Sequence, residues 1–164
     1  VTGKGKGLFA RDDKGDYRWE LRPCAYYNEF EKEKIIWGEL SDEQKFAIDT
    51  SGFYLNNTIF FITGSCLKYI ISILNSKSAQ WYFNEISTSS GMGTNRWLKY
   101  KVEQLPIKVI SEKEQNPFID LVDQILEQKK QNKDSTDLEN RIDQLVYKLY
   151  DLTEEEIKIV EGSK

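Results

Sequence analysis

The sequence has 164 residues, of which 39% are hydrophobic, 13% aromatic and 30% charged, and its formal net charge is −4. This length fits one domain, alone or with a small appendage, and the hydrophobic content is sufficient for a buried core. The absence of histidine excludes a Ser-His or Cys-His nucleophile, and the absence of an apolar run of about 18 residues predicts no membrane span.

The negative charge is concentrated in the last third of the chain. Residues 1–110 contain fifteen Lys and Arg against thirteen Asp and Glu, a balance of +2, whereas residues 111–164 contain eight against fourteen, a balance of −6. The first part is therefore compatible with a polyanionic partner, and the acidic part is not expected to lie on DNA. Cys24 and Cys66 lack metal-ligand spacing and are expected to be free thiols of a cytoplasmic protein.

Strand-like alternation dominates the first part of the chain. Residues 1–16 indicate a loose loop, and the sequence starts at Val1 without Met or an apolar signal core, as expected for a fragment of a longer protein. Alternation begins at Tyr17, ends at or near Pro23, and returns at 33–40 and 46–64. Residues 50–52 predict a hairpin turn, Asn56-Asn57 a second turn, and residues 56–62 a further buried strand.

The period changes to that of a helix over residues 65–86, and a break near Asn75-Ser76 predicts two helices rather than one. The stretch SSGMGTNRWLKY at 89–100 follows and indicates a loop that combines flexible backbone with large polar side chains. Residues 99–110 look strand-like, with an interruption at Pro106.

Three helices are predicted in the last third. Asn116 is expected to be an N-cap with Pro117 at the first helical position, and Thr136 with Glu139 is expected to form a capping box. A third, short helix is expected to begin at Thr153, with Glu156 completing its cap. The predicted fold class is α+β, with a mixed or antiparallel sheet and packed helices in residues 1–110 and a C-terminal helical segment in residues 111–164.

Catalytic signatures are absent from the sequence. The glycines at 3–7 lack the spacing and the Ser or Thr of a phosphate-binding loop, and the pair Gly91 and Gly93 does not follow a strand in a βαβ context. The acidic run at 154–156 suits the first turn of a helix rather than a metal site. The isolated chain is therefore expected to be non-catalytic.

Several stretches nevertheless resemble a known family, in the same order and over nearly the whole chain. The most specific are Phe53-Tyr54 with Asn57-Thr58, the Leu-Asn-Ser-Lys stretch at 74–77 and the Val-Glu-Gln-Leu-Pro-Ile stretch at 102–107. These resemble the TaqI-like C-terminal specificity domain, the target-recognition module of N6-adenine DNA methyltransferases and of fused type IIG restriction-modification enzymes.

The resemblance implies a module that follows a catalytic domain with an Asn-Pro-Pro-Tyr type motif and bound S-adenosylmethionine. Neither that motif nor a cofactor-binding strand–loop–helix occurs in this sequence. The implied partners are double-stranded DNA and a covalently linked methyltransferase domain, with no membrane and no cofactor in this fragment. The implied parent is a cytoplasmic, S-adenosylmethionine-dependent adenine methyltransferase of restriction-modification, and whether it also cleaves DNA stays open.

Arg96 suits bidentate pairing with guanine, Asn95 suits adenine, and lysines suit phosphates. Glycines permit close approach of the backbone to a groove, and Ser and Thr supply short donors to phosphate oxygens. The candidate DNA-binding residues are Lys34, Ser89, Ser90, Gly91, Gly93, Thr94, Asn95, Arg96, Lys99 and Lys101. Lys34 is also readily explained as a solvated charge, and the serines as part of a merely mobile loop.

Trp97 is predicted to pack in the core beneath the loop rather than to stack on a base. Asn56 and Asn57 are interpreted as turn formers, and Lys4 and Lys6 as part of a flexible arm. Two alternatives stay open. One is a protein-interaction module that docks a partner subunit through its acidic helices without binding DNA, and the other is an independent hydrolase with a hidden carboxylate site.

Overall fold

The computed structural model describes residues 16–17, 25–87 and 95–162 of the chain. The strands in these ranges are β1 (Lys34–Gly38), β2 (Leu40–Ser41), β3 (Ala47–Asp49), β4 (Ile59–Thr63) and β5 (Asn95–Arg96). The helices are α1 (Tyr27–Phe30), α2 (Leu67–Leu74), α3 (Lys77–Ile86), α4 (Lys99–Val102), α5 (Glu112–Lys130), α6 (Thr136–Leu149) and α7 (Glu154–Gly162). Across the described ranges, each helix is too short or too polar to cross a membrane. The predicted α+β class is confirmed.

A three-stranded antiparallel sheet has the order β3-β1-β4, with β1 in the middle. Ile35 of β1 faces Ile48 on one side and Ile62 on the other. Strands are therefore confirmed within 33–40 and 46–64, but the predicted hairpin at 50–52 is wrong, because β3 and β4 lie on opposite edges of β1 and do not pair. The chain does turn there, since Gly52 has φ +71. β4 is half-buried rather than buried.

One hydrophobic core connects the sheet to the C-terminal helices. Ile35 of β1, Ile71 of α2, Phe83 of α3, Phe118 of α5 and Val146 of α6 all belong to it. The apolar stripes of α5 and α6 are therefore covered by α2, by α3 and by each other, which stabilises both helices through the burial of apolar surface. Residues 111–164 pack on the same core as the strands.

The break between α2 and α3 lies where the sequence predicts it. Ser76 is the N-cap of α3 and accepts a hydrogen bond from Ala79 N at 3.2 Å. Asn75 precedes it, and its side chain bonds both backbone groups of Phe46, accepting from the N–H at 3.0 Å and donating to the carbonyl at 2.9 Å. The helix junction is thereby tied to the segment that leads into β3.

The predicted strand at 99–110 is wrong. Residues 99–102 form α4, residues 103–105 turn, and residues 106–110 belong to no strand. Val102 and Leu105 are buried three residues apart, a helical rather than a strand spacing. Two tyrosine side chains hold this segment, since Tyr69 Oη donates to Lys108 O at 2.6 Å and Tyr150 Oη donates to Pro106 O at 2.5 Å.

Helix α5 begins earlier than predicted. Ser111 is the N-cap and forms a capping box with Glu114, so the assignment of Asn116 as the N-cap is wrong. Pro117 consequently lies inside the helix, in its second turn, rather than at its first position. The Ser-x-x-Glu pattern satisfies two backbone N–H groups reciprocally, which a lone Asn cap does not.

The predicted capping box of α6 is wrong as well. Ser135 is the residue at the N-cap position, and its hydroxyl donates to Glu139 Oε1 at 2.8 Å. Thr136 is the first helical residue, and its N–H donates to Asp134 Oδ1 at 3.1 Å. The first backbone N–H of α6, which has no acceptor within the helix, is therefore hydrogen-bonded to Asp134, a residue that precedes the helix.

The cap of α7 is confirmed. Thr153 N donates to Glu156 Oε2 at 2.8 Å, and Glu156 N donates to Thr153 Oγ1 at 3.3 Å. The hydrogen bonds from the backbone and hydroxyl of Thr153 lower the pKa of Glu156. The acidic residues in the first turn of α7 therefore stabilise the N-terminus of this helix.

Some sequence predictions fall on residues outside the described ranges. They are the loop at 1–15, the strand residues 18–23, Cys24, Lys4 and Lys6. Cys66 is a free, exposed thiol, as predicted. Asn56 is a turn former, also as predicted, because its Oδ1 accepts from Thr58 N at 3.1 Å.

Candidate nucleic-acid interface

Two short strands hold the end of the 89–100 stretch against the rest of the fold. β5 pairs with β2 so that Asn95 lies opposite Ser41 and Arg96 opposite Leu40. The ladder continues one residue further, where Trp97 N donates to Glu39 O at 2.8 Å. Because Glu39 directly follows the central strand β1, residues 95–97 are attached to the rigid centre of the sheet.

Trp97 anchors this attachment in the core. Its side chain is 1% exposed, and its ring stacks on Phe83 with centroids 3.6 Å apart and planes 8° apart. Trp97 Nε1 donates to Ser41 O at 3.1 Å, and Trp97 O accepts from Trp37 Nε1 at 2.8 Å. The prediction that Trp97 belongs to the core is confirmed, and this buried ring has no free face on which a base could stack.

Arg96 projects from the same strand to the exposed side. Its guanidinium pairs with Glu39, Nε donating to Oε1 at 3.1 Å and Nη2 donating to the same oxygen. This hydrogen bond and the charge of Glu39 raise the pKa of Arg96. Nη1 has no partner among the described residues, so the guanidinium is oriented by Glu39 while part of its donor edge faces outward.

Helix α4 adds two cations immediately after the anchor. Lys99 is exposed and lies 3.3 Å from Glu103, one turn along the helix. Lys101 is half-buried and forms no ion pair with any residue of the described ranges. Tyr100, between them, is exposed. We call the segment that carries Arg96, Lys99, Tyr100 and Lys101 the cationic corner.

Asn95 faces away from this corner into a groove. Its Nδ2 donates to Asn84 Oδ1 at 3.0 Å, and Gln80 Nε2 donates to the same oxygen at 2.8 Å. The backbone N–H of Gln44 in turn donates to Gln80 Oε1 at 2.7 Å. Sequence reasoning missed these partners of Asn95; the spacing of Gln80 and Asn84, one helical turn apart, is the local signal that predicts a shared face.

The remaining loop candidates lie outside the described residues. They are Ser89, Ser90, Gly91, Gly93 and Thr94. Their assignment to phosphate contact and close backbone approach stays a prediction. The structure defines only where their segment is attached, at Ser87 after α3 and at Asn95.

The predicted placement of Lys34 on a DNA-facing or solvated surface is wrong. Lys34 is 0% exposed, and its Nζ lies 2.5 Å from Asp49 Oδ2 and donates to Phe30 O at 2.5 Å. Burial alone would raise the pKa of Asp49, but the hydrogen bonds from Lys34 and from Ser51 N and Phe53 N outweigh it, so this pKa is lowered. Because the ammonium group of Lys34 is buried and paired with Asp49, it cannot contact a phosphate.

The Leu-Asn-Ser-Lys stretch at 74–77 is structural. Leu74 is buried, and Ser76 caps α3 as described above. Lys77 N donates to Asp143 Oδ1 at 2.9 Å, which ties the start of α3 to α6. Burial raises the pKa of Asp143 against the lowering effect of Lys77. The stretch therefore positions α3, and through Asn84 it positions the groove.

A family model described as the TaqI-like C-terminal specificity domain matches residues 13–107. The matched range contains all the described strands and the cationic corner, and it ends before α5. Since the match covers more than half of the chain, the chain belongs to this family.

Proposed function

We propose that this specificity domain recognises a DNA sequence for a covalently linked N6-adenine methyltransferase domain, as part of a methyltransferase or a type IIG restriction-modification enzyme. In this proposal the chain grips and selects double-stranded DNA, and the linked domain binds S-adenosylmethionine and methylates the adenine. The setting would be cytoplasmic host defence by restriction-modification.

The observation that carries the proposal is the cationic corner beside a rigid anchor, inside the matched range. Arg96 directly precedes a tryptophan that is packed against Phe83 and hydrogen-bonded at both its ring and its backbone. A base-reading group must be held on a rigid element to discriminate between bases. Lys99 and Lys101 supply the charge that holds phosphates.

Glu39 gives Arg96 a defined starting orientation. The exposed Arg96–Glu39 pair is weak, because solvent screens it and its formation orders two side chains. A guanine offers O6 and N7 to two parallel N–H donors, which matches the planar guanidinium better than a single carboxylate oxygen does. DNA binding would thus exchange Glu39 for a base edge at little energetic cost.

The test is a binding selection from a pool of randomised duplexes, followed by titration of single sites at several salt concentrations. We expect Arg96→Ala to relax the preference at one base pair by about 1–3 kcal/mol, and Arg96→Lys to restore the charge but not the preference. Lys99→Ala is expected to weaken all sites alike and to reduce the salt slope by about 1.

The matched control is Lys130→Ala on α5, an exposed lysine that pairs with Glu127 one turn away on an acidic segment. It removes the same charge and should leave both affinity and preference unchanged. A chain that binds no duplex at low salt, or that binds with the same affinity at all salt concentrations, contradicts the proposed function.

A further inference from the structure

Three side-chain amides form a hydrogen-bonded chain in the lining of the groove. Gln80 and Asn84 lie one turn apart on α3, and Asn95 lies on β5. All three amides are half-buried and line the same groove, together with Gln44. They are joined by the two hydrogen bonds to Asn84 Oδ1 at 2.8 and 3.0 Å.

A backbone group fixes the direction of this chain of amides. The N–H of Gln44 can only donate, so the atom of Gln80 that it meets must be the oxygen. Gln80 Nε2 then points at Asn84 and must find an oxygen there, which orients the Asn84 amide. Asn95 meets that same oxygen and must present its nitrogen.

This orientation leaves one unused donor on Asn84 and one unused acceptor on Asn95, two side chains that are joined by a hydrogen bond of 3.0 Å. Asn84 Nδ2 and Asn95 Oδ1 have no hydrogen-bond partner among the described residues, whereas Asn84 Oδ1 already accepts twice. A carbonyl oxygen has two lone pairs, so Asn84 has only its donor left to offer. Neither amide can flip without breaking a bond to its neighbour, so the pair is preorganised for one pattern of partner.

We propose that Asn84 and Asn95 together read the major-groove edge of an adenine, Asn84 donating to N7 and Asn95 accepting from the N6 amino group. This inference rests on the proposed function and adds a residue that specifies a base. In the major groove adenine alone combines an acceptor and a donor on one base. Guanine would set its O6 against the Asn95 oxygen, and cytosine would leave the Asn84 donor unpaired, which disfavours both.

The experiment repeats the duplex selection with Asn84→Asp. The new carboxylate keeps an oxygen for Gln80 and Asn95 but replaces the donor with an acceptor. We expect the preference for adenine at one position to fall about 5- to 150-fold, the equivalent of about 1–3 kcal/mol, with cytosine gaining there through its N4 donor.

Asn140→Asp is the matched control. Asn140 lines the same groove from α6 and accepts from Lys77 Nζ at 3.4 Å, but it is not one of the three linked amides. The variant adds the same negative charge to the groove, so it is expected to weaken DNA binding without changing any base preference.

A second measurement changes the DNA rather than the protein. Wild-type chain is titrated with its preferred duplex carrying 7-deazaadenine, which lacks N7, at the selected position. We expect a loss of about 5- to 150-fold for the wild type and no further loss for Asn84→Asp, because both changes remove the same bond.

Two results overturn the inference while the proposed function stands: Asn84→Asp that retains every wild-type preference, or wild-type binding that 7-deazaadenine does not weaken at any selected adenine. A wild-type chain that selects no sequence at all refutes the proposed function, and the assignment of Asn84 and Asn95 falls with it.

Discussion

The buried Lys34–Asp49 pair is expected to contribute strongly to stability, and Lys34→Met tests this. Methionine is close to lysine in length and fills the same space without the charge. It removes the ion pair with Asp49 and the hydrogen bond to Phe30 O, both 2.5 Å long. Asp49 then keeps, at 4% side-chain exposure, only the N–H groups of Ser51 and Phe53 as partners.

Removal of one partner from a buried ion pair leaves an uncompensated charge and costs about 3–5 kcal/mol. The two remaining backbone donors place the expected loss for Lys34→Met near the lower end, at about 3 kcal/mol. The comparison is Lys99→Met, since Lys99 is 70% exposed in a pair with Glu103. Exposed pairs of this kind contribute less than about 1 kcal/mol.

The assay is urea unfolding at pH 7, followed by tryptophan fluorescence, with Trp37 and Trp97 as buried reporters in the core. The free energy of unfolding must depend equally steeply on urea concentration in the variant and the wild type, so that a shift in the unfolding midpoint reports stability alone. A Lys34→Met variant whose free energy of unfolding stays within about 1 kcal/mol of the wild type, or that loses no more stability than Lys99→Met, would refute the importance assigned to the pair.

Two further predictions concern the C-terminal helices. Ser111→Ala removes the cap of α5 and should lower the free energy of unfolding by about 0.5–2 kcal/mol. Asn116→Ala, at an exposed position inside that helix, should change the free energy of unfolding by less than about 0.5 kcal/mol. Urea unfolding measures both, and a larger loss for Asn116→Ala than for Ser111→Ala would show that Asn116 is the cap. Burial raises the pKa of Asp143, so the stability this carboxyl contributes is present below its unfolded pKa of about 3.9 and lost as the pH rises through its raised folded pKa. Asparagine does not ionise, so Asp143→Asn avoids this loss while its amide oxygen still accepts from Lys77 N. The variant should therefore become more stable relative to the wild type as the pH rises from about 3 to about 7. A difference in free energy of unfolding between the two proteins that does not depend on pH would contradict this.

Part of the candidate interface follows from the sequence. The combination of Arg96, Trp97 and two lysines within six residues predicts an anchored cationic segment, and the structure shows that anchor. The pairing of Arg96 with Glu39 and of Asn95 with Asn84 does not follow, because these partners are 57 and 11 residues away along the chain. Only the antiparallel contact of β2 with β5 brings Glu39 beside Arg96.

The sequence by itself determined the local elements of this protein. Alternation over 33–40, helical spacing over 65–86 and the Thr153–Glu156 cap each depend on residues a few positions apart, so they can be recognised without the fold. Where two local patterns compete, as Ser111 and Asn116 do for the start of α5, the reciprocal capping box of Ser111 with Glu114 prevails over a lone Asn cap.

The tertiary structure alone decided the order of the strands, the burial of Lys34 and the orientation of the amides at Asn84. β3 and β4 are consecutive along the chain yet flank β1, so the turn at 50–52 carries no information about their pairing. Lys34 alternates like a surface lysine and becomes a core residue because α1 and Asp49 close over it. The partners in these hydrogen bonds and ion pairs are 4 to 57 residues apart along the chain and meet only in the folded structure, so a local sequence pattern does not reveal them.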